Sequence, residues 1–108
     1  MPVDVLSVGE AQDLLRFCLG KGGEVKPGKH FFQQLEEEGL MFPDAWHVLR
    51  TGHIYKPPEH DVKTGEWKYR VEGHEPDGKW IAIVFCFKTI DKVFLITVFS
   101  VQERRRLP

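Results

Sequence analysis

Residues 67–88 read WKYRVEGHEPDGKWIAIVFCFK, and their patterning decides the fold. Trp67, Tyr69 and Val71 alternate with Lys68, Arg70 and Glu72, the two-residue period of a strand with one face in a core and the other in water. Pro76, Asp77 and Gly78 mark a turn. After it, every position from Trp80 to Phe87 is apolar, as in a central strand with cover above and below. VFLITVFS, residues 93–100, repeats that character beyond a second turn around Asp91. Short turns make the three strands a meander.

Upstream the period changes to that of helices. Ser7 and Glu10 stand at capping-box spacing, and Val8, Ala11, Leu14, Leu15, Cys18 and Leu19 recur at helical intervals until Gly20, Gly22 and Gly23. KHFFQQLEEEGL, residues 29–40, predicts a second helix with Phe31, Phe32 and Leu35 on one stripe and Gly39 as its stop. Glu36, Glu37 and Glu38 fall in its last turn, where the helix dipole disfavours each anion by about 0.3–1 kcal/mol. The reading adopted is that a wet surface tolerates this cost without a basic partner. A third, short helix starts at Pro43 with Asp44 in its first turn, buries Phe42, Ala45, Trp46 and Leu49, and stops at Gly52. His53 to Tyr55 is a short edge strand ended by Pro57 and Pro58.

The expected fold is α+β: two to three N-terminal helices packed on one face of a twisted antiparallel sheet of about four strands. It fills one domain over 1–108, with a helical half at 1–52, the sheet at 53–100 and a basic tail at 101–108 that carries Arg104, Arg105 and Arg106. No helix follows the central strands. Cover for their second face therefore falls to a protein partner, a dimer mate or the tail.

Composition excludes more than it assigns. The net charge is −1, so no global field draws the chain to nucleic acid. Residues 1–52 hold five basic and eight acidic side chains, and residues 53–108 hold ten and eight, which permits a local basic face. Cys18 and Cys86 sit among apolar neighbours, as buried free thiols in a reducing cytoplasm do. MPVDVLSVGE lacks the basic start and apolar run of a signal peptide, and the apolar run from Trp80 is too short to span a bilayer as a helix; a cytoplasmic protein without a membrane is expected. No P-loop, G-x-S-x-G or dinucleotide fingerprint is present. The five His and two Cys show no metal-ligand spacing, and only a cluster of His53, His60 and His74 at one end of the sheet is worth testing. The expectation is no metal and no cofactor.

The succession KHFFQQLEEEGL, PDAWHVLRTG, WKYRVEG, a hairpin, IAIVF and FLITVF resembles a bacterial family of small uncharacterised domains. They are grouped with the RelE/ParE-like toxins, BrnT and MqsR among them, and the resemblance covers about residues 25–100. It implies a RelE-like arrangement of helices followed by an antiparallel sheet. It also implies metal-independent endoribonuclease activity on RNA, and an antitoxin-like protein or a second copy as partner. The matching positions are His30, Asp44, Gly52, Tyr69, Arg70, Gly73 and Thr97. Asp44 and Gly52 are also explained as a helix-start acid and a helix stop, and Thr97 as a β-branched strand residue. His30 and Arg70 are left for chemistry.

In that chemistry Arg70 and Lys68 clamp phosphate, with Lys88 at the end of the next strand joining them, and His30 is the general acid–base. The plain structural alternatives are a solvated strand face for Lys68 and Arg70, and local bonding at a helix start for His30. The sequence pI near 6.5 departs from the strong basicity usual in such toxins. The alternative function is a non-catalytic interaction module, an inactive toxin relative or a homodimer subunit. The aromatic residues read as strand alternation rather than as a platform for stacked bases.

Overall fold

The computed structural model describes residues 3–101. Helices α1 (Val8–Leu19), α2 (Lys29–Glu37) and α3 (Phe42–Thr51) accompany strands β1 (Glu24–Pro27), β2 (His53–Ile54), β3 (Glu59–His60), β4 (Trp67–His74), β5 (Trp80–Thr89) and β6 (Lys92–Ser100). The strand order is β1-β6-β5-β4-β2, with β3 also pairing to β4. The expected α+β class holds, and β4, β5 and β6 form the antiparallel meander.

The expectation of about four antiparallel strands is corrected to a mixed sheet of six. β1 runs parallel to β6, with Val25 opposite Val93, and so places a strand inside the half read as helical. Its sequence, EVKP, is four residues long, exposes Glu24 and Lys26 and ends in proline, so it shows no usable period. Only β6, about 70 residues onward, gives it a partner. β3 is shorter still: Glu59 and His60 pair with Lys68 and Trp67 just beyond the two prolines. The basic tail from 102 onward lies outside the described residues.

Each helix begins and packs as its sequence dictates. At α1 the Ser7 Oγ accepts from the Glu10 N–H at 3.1 Å, and Glu10 Oε1 accepts from the Ser7 N–H at 2.8 Å. At α3 Asp44 Oδ2 accepts from the Met41 N–H at 2.8 Å. Ala11, Leu15 and Cys18 of α1, Phe31 and Leu35 of α2, and Ala45, Val48 and Leu49 of α3 turn into one core with Tyr69, Val71, Ile81, Ile83, Phe85, Val93, Leu95 and Val98 of the sheet. All three helices therefore lie on the same face. Tyr69 stacks on Phe85 at 5.7 Å between ring centres, and its hydroxyl accepts from the Leu6 N–H at 2.9 Å, tying the N-terminal arm to β4.

The end of α2 departs from the tolerance expected for its acidic run. Lys79, from the β4–β5 turn, donates from Nζ to the Glu38 carbonyl at 3.0 Å, and Ser100 hydrogen-bonds the Glu38 carboxylate. A basic group does approach that end, from a hairpin distant in sequence.

α3 and β4 meet through glycine. A Cβ on Gly52 would stand 2.5 Å from the Glu72 carbonyl oxygen and 2.7 Å from that of Val48, and one on Gly73 would stand 3.1 Å from Gly52 Cα. Backbone this close has no room for a side chain. Gly52→Ala is expected to cost about 1–3 kcal/mol by overpacking, seen as a lower urea midpoint. Gly9→Ala, in open space within α1, is expected to raise the midpoint through helix propensity, by about 0.5–1 kcal/mol.

Candidate functional site on the helix-free sheet face

Strand alternation sends half of the sheet's side chains away from the helices. On β4 these are Lys68, Arg70, Glu72 and His74; on β5 they are Trp80, Ala82, Val84, Cys86 and Lys88. The register continues the rows: His53, Glu72, Ala82 and Phe99 form one, and Arg70, Val84 and Thr97 the next. A bulge lets Val84 face Thr97 while Phe85 faces Leu95, so Ile96 is the extra residue. That irregularity returns both Leu95 and Val98 to the core and keeps Phe94, Thr97 and Phe99 on the helix-free face. No helix among the described residues covers this face.

Its chemistry concentrates around Glu72, which is 8% exposed. Trp80 Nε1 donates to Glu72 Oε1 at 2.9 Å, and Arg70 Nε lies 2.8 Å from Oε2. The Arg70 Nε–H is not aligned along that contact, which makes it an ion pair rather than a directed hydrogen bond. The guanidinium also rests over the Phe99 ring, 5.0 Å from its centre. Nε is thus sealed inward while a third of the side chain stays exposed, which leaves the terminal amino groups to meet a ligand. Beside Arg70 a groove of about 170 Å³ is lined by Lys56, Pro57, Glu59, Lys68 and Val84.

Of the residues singled out in the sequence, Lys68, Arg70 and Lys88 come to this face, and each carries its own carboxylate. Lys68 pairs with Asp61 at 3.0 Å, Arg70 with Glu72, and Lys88 with Glu66 at 2.6 Å. The bond from Lys68 holds the Asp61 carboxyl below its ordinary range, and the bond to Glu66 raises the Lys88 ammonium above its own. Lys56 makes no ion pair among the described residues. His30 is not brought to Arg70: it lies exposed at the start of α2, and that helix packs on the opposite face. No contact among the described residues brings His30 to Arg70, and the helix that carries His30 packs on the other side of the sheet.

Thr97 stands in the Arg70 row, so one matching position read as structural shares the face with the candidate arginine. His53, His60 and His74 do not gather. His60 lies against Trp67 at 4.5 Å and His74 against Trp80 at 4.6 Å, and among the described residues no three His, Cys, Asp or Glu side chains form a metal-holding group. Sequence reasoning missed Tyr55 and Trp80. Their rings lie 6.5 Å apart above Glu72, and Tyr55 is 57% exposed. The alternation placed Trp80 in a strand apolar on both sides, which hid that its indole leans toward β2.

Compared with protein-family models, with curated proteins and with solved structures, the chain gives no match.

Cys86 lies in the same face between these charges and is 1% exposed. Burial, helped by the Glu66 carboxylate, pushes its thiol from 9.0 up to about 11. Both cysteines are free. A thiol raised in the folded state stays protonated while the unfolded chain ionises, so its contribution to stability is full below pH 9 and is lost as pH rises toward 11. Between pH 8 and 10.5 wild type is expected to lose about 2 kcal/mol more unfolding free energy than Cys86→Ala, measured by urea titration. The thiol is expected to react with a disulfide reagent at pH 8 only after unfolding.

Proposed function

We propose that this chain is a RelE/BrnT-like domain whose helix-free sheet face binds and cuts single-stranded RNA without a metal. One observation carries this reading: Arg70 is held by Glu72 and Phe99 beside a groove that also receives Lys56 and Lys68. An arginine fixed at its inner edge offers its terminal fork to a phosphate without first losing rotamer freedom. Lys68, paired with Asp61, supplies hydrogen bonds with little net field, which accords with a net charge of −1. The reaction needs a base to take the 2′-hydroxyl proton, a 2′-O–P bond to form, the P–O5′ bond to break and a proton to reach the departing 5′-oxygen. With His30 behind the sheet, the imidazoles on the working face are His53 and His74. Two buried free thiols accord with work in a reducing cytoplasm, and no helix among the described residues is long and apolar enough to cross a membrane.

A second reading rests on a different surface. Phe32 and Met41, 50% and 70% exposed, adjoin Phe42 and Trp46, and a shallow groove of about 500 Å³ runs over Phe42, Pro43, Trp46, His47, Arg50 and Pro76. Apolar surface of this kind suits a non-catalytic interaction module that docks an antitoxin-like protein or a second copy.

The test is a cleavage and filter-binding assay of purified protein on single-stranded RNA, with chelator present. Wild type is expected to bind and cut, and Arg70→Ala and Lys56→Glu are each expected to bind about 10- to 100-fold more weakly. Absence of cleavage, or cleavage that Arg70→Ala leaves unchanged, overturns the ribonuclease. A stable dimer or protein complex found together with no RNA binding transfers the case to the second reading.

A further inference from the structure

We infer that Tyr55 and Trp80 form a shelf for one nucleobase, next to the Lys56–Lys68–Arg70 groove, so that this face takes a nucleotide and not merely an anion. The inference rests on the RNA-binding reading above and deepens it by assigning the base subsite. Four rings make an almost continuous row across one end of the face. His53 and Tyr55 are 6.1 Å apart between centres, Tyr55 and Trp80 6.5 Å, and Trp80 and His74 4.6 Å.

The row is held from beneath. Trp80 is anchored through Nε1 by Glu72, and the same carboxylate contacts Arg70, so the edge of the shelf and the guanidinium are fixed by one group. Tyr55 is the most exposed Phe, Tyr or Trp side chain among the described residues, at 57%, and has no hydrogen bond through its hydroxyl there. An exposed tyrosine tilted by 32° to a tryptophan leaves ring face on the solvent side that no aromatic contact or hydrogen bond among the described residues uses.

Chain connectivity sets shelf and groove side by side, because Tyr55 is followed at once by Lys56, which lines the groove. Cations along a backbone track with aromatic rings at its side are the elements by which proteins hold single strands without reading sequence. A duplex offers its bases only at their edges, so an exposed ring face selects an unpaired strand. Orthophosphate or a carboxylate would use the groove and leave the shelf empty.

The experiment measures anisotropy of two labelled probes at fixed low salt. One is a 2′-O-methyl oligoribonucleotide, which keeps its bases but cannot be cut; the other is an abasic oligomer of the same length. Tyr55→Ala is expected to weaken the base-bearing probe about 5- to 100-fold and leave the abasic probe unchanged. Tyr55→Phe is expected to bind both like wild type, since the ring and not the hydroxyl is used. Lys56→Ala is expected to weaken both probes alike and lessen their salt dependence. Tyr55 is exposed, so its substitutions leave the fold intact. If Tyr55→Ala acts on neither probe, or on both equally, while Lys56→Ala still weakens binding, the shelf is overturned and the RNA-binding reading stands. If wild type binds neither probe, both readings fail together.

Discussion

Three short helices can dress only one of a sheet's two faces, and the rest of this protein follows from that limit. α1, α2 and α3 bring their apolar stripes to the side of the sheet that holds Tyr69, Ile83, Phe85 and Leu95. The other side must satisfy its polar groups within the plane of the sheet. It does so with a buried carboxylate, Glu72, which takes a hydrogen bond from the Trp80 indole of the neighbouring strand β5 and a charge contact from the Arg70 guanidinium two residues back on β4. A buried carboxylate without such partners would be expensive, so the three side chains belong together.

This arrangement reconciles two properties that looked opposed. A chain of net charge −1 has no long-range attraction for a polyanion, and every cation on β4 and β5 of the helix-free face has a carboxylate beside it. Screening in physiological salt limits exposed charges to about 8 Å, so what matters at the groove is local placement of donors rather than the total. The carboxylates act as fixings: they hold Lys68, Arg70 and Lys88 in position and take away much of their field. The RNA binding proposed for this face would be selective in geometry and slow to steer from a distance, the reverse of a strongly basic surface.

Much of the fold was legible because it is written in local period. α1 spans Val8–Leu19 as its capping box and apolar spacing indicate, and β4, β5 and β6 occupy the three runs that alternation and turns marked. What escaped has no local signature. β1 is four residues whose role depends on β6, β3 is two residues after a proline pair, and Lys79 reaches the end of α2 only through the hairpin. The site was legible in part for the same reason. Lys68 and Arg70 declared themselves by standing on the polar side of an alternating strand. The facing of His30 away from them, and the meeting of Tyr55 with Trp80, depend on which side of the sheet the helices chose and on how a side chain leans across two strands.

The parallel pairing of β1 with β6 also closes one edge of the sheet. Glu24 meets Lys92 across the longest separation in the sheet, about 70 residues, and closing such a loop is entropically unfavourable until the meander already stands. β1 covers the outer edge of β6, and the Gly28 N–H that bonds the Leu95 carbonyl at 2.9 Å closes the same seam. Without that cover β6 would present an open row of backbone donors and acceptors to another strand. The small strand that the sequence hardly announces is what seals that edge.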